Sequence, residues 1–283
     1  MRTRVRSGNP TVSSAGSPVT KTALLRQLHQ GPKILVLPNA WDVASARIFE
    51  AAGFAAIATT SAGVANSLGY PDGERISRDE MLIAVRRIVN AVSVPVTADV
   101  EAGYGDAVKT AEEVAELGAA GLNLEDTIGE AALVDLSAQV KVIERVRAKT
   151  DLVINARTDV FLFSIGDPAT LFERTVERLK AYQQAGADSL FVPGVRDAET
   201  IGRLTRAVNA PINILAVAGS PPIAELERLG VRRVTIGSGA MRASMGLTQR
   251  IAEELRDHGT YTSFTEGAID YVNANRLFLV ARK

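Results

Sequence analysis

The sequence has no cysteine in its 283 residues. That excludes disulfides, thiolate metal sites and a cysteine nucleophile, and it leaves the redox compartment open. Histidine is almost absent too: the chain carries only His29 and His258. His29 falls in an expected leading helix and His258 at an expected helix end before Gly259, so both read as surface or cap residues. A zinc site therefore has few ligands to draw on. Net charge is also lacking, with 32 basic and 32 acidic residues. Nothing in that balance favours a nucleic acid or an anionic membrane as partner. No apolar run approaches the roughly 20 residues that a membrane helix needs. The first 20 residues contain no acid and no apolar stretch of the secretory kind. Residues 1–19 are expected to be a disordered tail, and the protein to be soluble and cytoplasmic.

What is present is a large apolar fraction, 46% of the chain, enough for a sizeable core. It is distributed as short continuous runs: Ile34–Leu37, Ala55–Thr59, Val94–Val100, Gly121–Leu124, Leu152–Ala156, Ser189–Val192, Ile212–Ala216 and Val234–Ile236. Runs of this kind suit parallel strands covered on their faces. Helical stretches separate them. Ser77 with Glu80 forms a capping-box signature, and Asp106 is placed to cap the helix that follows. Eight strand–helix units predict an α/β fold, a (β/α)8 TIM-type barrel over residues 20–260. A doubly wound open sheet is the alternative, weakened because no Gly-rich dinucleotide fingerprint follows the first strand. Further helical stretches are expected at Thr20–Gln30 and Phe264–Leu277. The segment 261–283 would pack on the barrel or on a partner subunit.

Barrel active sites lie at the C-terminal ends of the strands. Polar residues gather there on the second to fifth runs. Asp99 and Glu101 stand two apart, which on a strand turns both carboxylates to one side. Glu125 ends the adjacent run. Three such carboxylates repel one another, and Mg2+ or Mn2+ is a natural counter-charge for an all-oxygen set. The bland alternative is a solvated strand end with salt bridges to Arg157. Arg157 in turn reads either as an ion-pair partner of Asp159 or Glu125, or as a clamp on a substrate carboxylate. Thr60, Ser61, Ala62 and Gly63 read as a plain turn or as an oxyanion cradle of hydroxyls and backbone N–H groups. Asp72-Gly73 reads as a turn.

The strings TTSAGVANSLGYPDGE, VPVTADVEAGYGD, LNLEDT and NARTD, in this order, resemble the isocitrate lyase/phosphoenolpyruvate mutase superfamily. The likeness runs from about Ile34 to beyond Gly194 and implies a (β/α)8 barrel whose C-terminal helix is exchanged within a homodimer or homotetramer. It implies Mg2+ nearest Asp99, with Glu101 and Glu125 holding it directly or through water. It places a substrate carboxylate on Thr60, Ser61, Ala62 and Gly63, Asp72 near the reacting end, and Arg157 on the oxyanion. The activity implied is cleavage beyond the carbonyl of a small 2-oxo or 2-hydroxy acid through a metal-stabilised enolate.

The sequence departs from that family after the fourth-strand acid. The family's lyases carry a Lys-Lys-Cys-Gly-His gate there, whereas this chain reads EDTIGEAALVDLSAQV, without Lys, Cys or His. Pro193 stands about where the mutase has a histidine. The first expectation is therefore a carbon–carbon lyase or decarboxylase acting on a small acid, with Tyr104, Tyr70 or a metal-bound water as proton source. The alternatives are a P–C bond enzyme (phosphonopyruvate hydrolase or phosphonomutase) and a non-catalytic 2-oxo acid binder.

Overall fold

A computed structural model describes residues 19–129 and 132–279. The strands are β1 (Leu35–Leu37), β2 (Asn39–Ala40), β3 (Ile57–Thr59), β4 (Val96–Asp99), β5 (Gly121–Glu125), β6 (Thr127–Ile128), β7 (Ala132–Leu133), β8 (Val153–Arg157), β9 (Ser189–Val192), β10 (Ile212–Leu215) and β11 (Arg233–Thr235). The α-helices are α1 (Lys21–Gln30), α2 (Val43–Ala51), α3 (Ser61–Ser67), α4 (Arg78–Ala91), α5 (Ala107–Glu116), α6 (Leu136–Lys149), α7 (Leu171–Gln184), α8 (Ala198–Ala207), α9 (Ile223–Arg228), α10 (Gly239–His258), α11 (Thr262–Thr265) and α12 (Tyr271–Arg276). All strand pairs of the main sheet are parallel, in the order β1-β11-β10-β9-β8-β5-β4-β3-β2. β1 and β2 are two halves of one extended segment interrupted at Pro38, which has no N–H for a ladder. One half pairs with β11 and the other with β3, so the sheet closes on itself as a barrel. Closure excludes the open doubly wound sheet.

Each of the eight apolar runs contains or overlaps a barrel strand. Alternation along them decides what faces inward. Ile154, Ala156, Leu122, Leu124, Val96 and Ala98 join the core between strands and helices. Val153, Ala56, Ala58, Leu35 and Leu37 form a separate cluster with Leu25 of α1, which plugs the N-terminal end of the barrel. The inward positions above that plug are polar and buried: Thr97, Asn123, Asn155, Ser189, Asn213 and Arg233. His29 belongs to this interior as well. It is buried, its Nδ1 lies 2.8 Å from the Leu25 carbonyl, and its Nε2 lies 3.5 Å from Arg233 Nη1. The surface reading of His29 is therefore wrong, because α1 inserts under the barrel rather than lying on it. His258 does end a helix, in front of Gly259 in the left-handed conformation.

The helix caps are as expected: Ser77 and Glu80 form a reciprocal box, and Asp106 accepts from the Lys109 N–H at 3.1 Å. The C-terminal segment differs. In place of one helix over Phe264–Leu277 there are two short ones, separated by Gly267 in the left-handed region and recapped by Asp270. α10 has 20 residues, of which only Met241 is buried. Met245, Leu247, Leu255, Phe264, Ile269 and Val272 lie exposed along this end of the chain. The tail expected over residues 1–19 lies, apart from Val19, outside the described residues, as do residues 280–283 of the C-terminal segment. No helix among the described residues is long and apolar enough to cross a membrane.

Candidate active site

Register places two rows of inward residues at the C-terminal mouth. Asp99, Asn123 and Asn155 stand opposite one another on β4, β5 and β8, and Glu125, Arg157 and Phe191 do so on β5, β8 and β9. Asp99 is the best-held side chain of the first row. Its Oδ2 accepts from the Ser61 N–H at 3.0 Å and from Ser61 Oγ at 2.9 Å, and its Oδ1 from Asn123 Nδ2 at 3.3 Å. Its own N–H donates to Thr59 Oγ1 at 2.8 Å. A carboxylate withdrawn from water needs such donors in place of its hydration.

Glu101 reaches the same mouth by a different route from the one its spacing suggests. β4 ends at Asp99, and Glu101 sits in the left-handed region at φ 51°. The strand alternation that would put it beside Asp99 therefore does not extend to it. Its carboxylate accepts from the Glu74 N–H at 2.6 Å and from the Tyr104 hydroxyl at 2.8 Å. Glu74 Oε1 in turn accepts from the Tyr104 N–H at 2.6 Å. Glu74 and Tyr104 are also left-handed, at φ 54° and 53°. Non-glycine residues rarely adopt this conformation, and several together mark a locally over-determined structure. Burial, with the charges of Asp72 and Asp99, raises the Glu101 carboxyl to about 7 against the pull of Tyr104. Burial and the Glu101 charge push the Tyr104 hydroxyl well upward, and its proton is committed to Glu101. Tyr104 thus orients Glu101 instead of facing open space as a proton source.

The second row is an ion-pair network. Arg157 Nη1 lies 2.7 Å from Glu125 Oε2 and its Nε 2.6 Å from Asp159 Oδ1, so both expected partners bind it. Its guanidinium carbon sits 5.8 Å from the centre of the Phe191 ring. Burial alone would lower the Arg157 proton affinity, but Glu125, Asp159 and Asp99 outweigh it and raise it. Burial raises Glu125 well above the usual carboxylate range; Arg157 opposes the shift, and Asp159, Asp99 and Glu101 reinforce it. Asp159 is completed by the Thr127 hydroxyl.

Behind this network lies a layer that the sequence did not reveal. The Asp159 N–H donates to Asp126 Oδ1 at 3.1 Å. Asp126 Oδ2 accepts from Arg178 Nε and from the Tyr182 hydroxyl, both at 2.6 Å. Arg178 also donates to the Val134 carbonyl at 2.5 Å. That bond fixes the far end of the β6–β7 hairpin, the segment that stands where the family's gate would be. Glu130 and Ala131, between β6 and β7 in the chain, lie outside the described residues. Arg178 and Tyr182 belong to an amphipathic helix, where a buried Arg looks no different in sequence from an exposed one.

The expected cradle is a helix start. Thr60 caps α3, its Oγ1 accepting from the Gly63 N–H at 3.3 Å, while both Ser61 donors grip Asp99. Gly63 is required there: a Cβ would lie 2.6 Å from Thr60 Cγ2 and 2.9 Å from Trp41 Cβ. Asp72 lies in an exposed loop, but its carboxyl head is partly withdrawn from water. Burial and then the Asp99 charge raise it, while Arg157 and Ser61 pull the other way. Asp72 is therefore brought to the site along with Arg157, Asp99, Glu101 and Glu125. As the side chains lie, no three acidic or histidine groups among the described residues form a preformed cation cage.

Relatives cover three quarters of the chain or more. The profile of the phosphoenolpyruvate phosphomutase family matches residues 25–256. Oxaloacetate decarboxylase of Rhodopseudomonas palustris strain TIE-1 is 33% identical over 223 residues, 75% of this chain and 76% of that protein. 2-Methylisocitrate lyase of Aeropyrum pernix is 29% identical over 253 residues, 84% of this chain and 80% of the relative. The solved structure of oxaloacetate acetylhydrolase with the product oxalate superposes with a TM-score of 0.80 at 28% identity, covering 92% of this chain and 93% of that one. The chain is thus a member of the phosphoenolpyruvate phosphomutase family, and with it of the isocitrate lyase/PEP mutase superfamily of carbon–carbon lyases and mutases.

Proposed function

We propose that this protein is a lyase or decarboxylase, dependent on Mg2+ or Mn2+, that breaks a carbon–carbon bond of a small 2-oxo or 2-hydroxy carboxylic acid. The observation that supports this reading is the charge imbalance of the mouth. Asp72, Asp99, Glu101, Glu125 and Asp159 share it with Arg157, and burial and mutual repulsion push Glu101 and Glu125 upward. An oxygen-coordinated divalent cation is the counter-charge that fits such a donor set. Asp99 would hold it most directly, with Glu101 and Glu125 joining directly or through water. The cation, when bound, supplies Lewis-acid polarisation of the substrate's 2-oxo group.

The chain's own groups then have distinct tasks. The substrate carboxylate would lie at the start of α3, at Thr60, Ser61, Ala62 and Gly63, beside the Ser61 donors that hold Asp99. Arg157, fixed by Asp159 and Phe191, would meet the charge that develops on the enolate oxygen as the bond breaks. Asp72, with its raised proton affinity, suits proton exchange at the reacting end. The hairpin after Glu125 carries no Lys, Arg or His between Asp126 and Asp135, which favours a small substrate without a demanding anionic leaving group. Oxaloacetate is the first candidate, because decarboxylase and acetylhydrolase relatives are named for it. We also infer that α10 and the exposed apolar end of the chain pack against a partner subunit in a homodimer or homotetramer, since α10 buries only Met241 by itself.

The test is turnover with Mg2+ on a panel of oxaloacetate, 2-methylisocitrate, phosphonopyruvate and 2-oxo acids of four to six carbons. Metal-dependent carbon–carbon cleavage is the expected result. Phosphate release from phosphonopyruvate would replace the proposal with P–C chemistry. Binding without turnover across the panel would make the protein a 2-oxo acid binder.

A further inference from the structure

Arg233, on the last barrel strand, is fully buried and points inward beneath the site. Among the described residues no carboxylate lies within ion-pairing distance of it. Its Nε has no hydrogen-bond partner. Its Nη1 lies 3.5 Å from His29 Nε2, and its Nη2 donates to Asn123 Oδ1 at 3.1 Å. The Nδ1–H of His29 serves the Leu25 carbonyl, so the facing Nε2 carries the lone pair that Arg233 meets. An arginine buried without an ion-pair partner is a costly choice for a barrel interior. Leu35 of the apolar plug stands directly opposite it in register.

What the charge accomplishes can be read at Asn123. Its Oδ1 accepts from Arg233 Nη2 at 3.1 Å and from Asn155 Nδ2 at 2.8 Å. With two donors on the oxygen, the amide has one orientation open to it, and its Nδ2 faces Asp99 Oδ1 at 3.3 Å. Nearly all the other restraint on the Asp99 carboxylate comes from Ser61, on the Oδ2 side. Asp99 is also the charge that Arg233 feels most favourably in its burial.

We propose that Arg233 is a positioning residue for Asp99. It locks the Asn123 amide so that Oδ1 of Asp99 is held from inside the barrel, and so sets the affinity of the cation site. The cation part rests on the function proposed above; the orientation of Asn123 does not. Groups behind a metal ligand commonly change affinity by about ten- to a hundredfold when removed.

The experiment measures Mn2+ binding by electron paramagnetic resonance in the full-length protein and in Arg233→Met, Arg233→Lys, Asn123→Ala and the Met/Ala double variant. Crystal structures of both Arg233 variants accompany it. Arg233→Met should weaken Mn2+ binding at least about tenfold. Arg233→Lys, which keeps a charged donor, should recover most of the loss. Asn123→Ala should weaken binding similarly, and adding Arg233→Met to it should cost nothing further. A lowered Tm with unchanged Mn2+ affinity in Arg233→Met would overturn the proposal, as would tighter Mn2+ binding, which marks simple charge repulsion. If Arg233→Met does not fold, unchanged affinity in Asn123→Ala overturns it. If the unaltered protein binds no Mn2+, the functional reading fails by itself. The structures then decide: an Asn123 amide turned away from Asp99 in a variant supports positioning, and an unmoved one refutes it.

Discussion

Glu101 accepts a 2.6 Å hydrogen bond from the backbone N–H of Glu74, a residue 27 positions earlier in the chain. Glu74 returns the connection by accepting from the Tyr104 N–H, and Tyr104 closes it on Glu101. The loop that carries Asp72 is thereby tied to the loop after β4 at the edge of the site. All three residues take left-handed backbone conformations without being glycine. Their mutual bonds offset that local strain.

This tie predicts the effect of Glu74→Ala. The change leaves the Tyr104 N–H without its charged acceptor, a loss of about 1.5–3 kcal/mol. Backbone hydrogen exchange should quicken in residues 68–77 and 100–106, while Glu74→Gln, which keeps an acceptor, should sit near the parent. Unchanged exchange in both loops would show that the tie does not hold them.

The layer behind Arg157 gives a second expectation. Arg178 and Asp126 form a buried pair at 2.6 Å, both all but inaccessible to water. Arg178→Met removes one partner of that pair and should cost about 3–5 kcal/mol. Tyr182→Phe, which leaves Arg178 on Asp126, should cost nearer about 1 kcal/mol. Urea unfolding of the two variants checks the order, and equal losses would refute it.

Much of the barrel was legible in the sequence, because buried parallel strands need continuous apolar runs and this chain has eight of them. The caps at Ser77 and Asp106 were legible for a local reason: a short polar side chain meets N–H groups two or three residues on. Glu101 was not. Its approach depends on a left-handed backbone that a period-2 pattern does not encode once β4 stops at Asp99. His29 and Arg233 were hidden because each looks like a surface residue until the other, 204 positions away, is known. Arg178 was hidden for the same reason, since its acceptors, Asp126 and the Val134 carbonyl, lie 52 and 44 positions away. The division at Gly267 was written in the sequence and outweighed by the apolar residues around it.

His29 makes stability depend on pH. Burial first, then the Arg233 charge, lowers its proton affinity from 6.5 to about 4, despite the Leu25 carbonyl and the Asp188 charge. The unfolded chain therefore binds a proton before the folded one does. The stabilisation is complete above pH 6.5 and is lost as pH falls from there toward about 4. At pH 5 the loss amounts to about 2 kcal/mol. Glu101, Glu125, Asp72 and Asp159 have raised proton affinities and push stability the opposite way. The comparison is thus between the parent and His29→Gln, which keeps an acceptor for Arg233. Denaturant midpoints at pH 7 and pH 5 should fall further in the parent; equal falls would exclude His29.

The same charge imbalance that supports the functional reading gives its most direct measurement. Mn2+ titration followed by electron paramagnetic resonance, on the unaltered protein and on Asp99→Ala, needs no knowledge of the substrate. The parent should hold one ion tightly per chain, displaced by Mg2+, and the variant should bind it at least about a hundredfold more weakly. Binding of equal strength in the two proteins would contradict this.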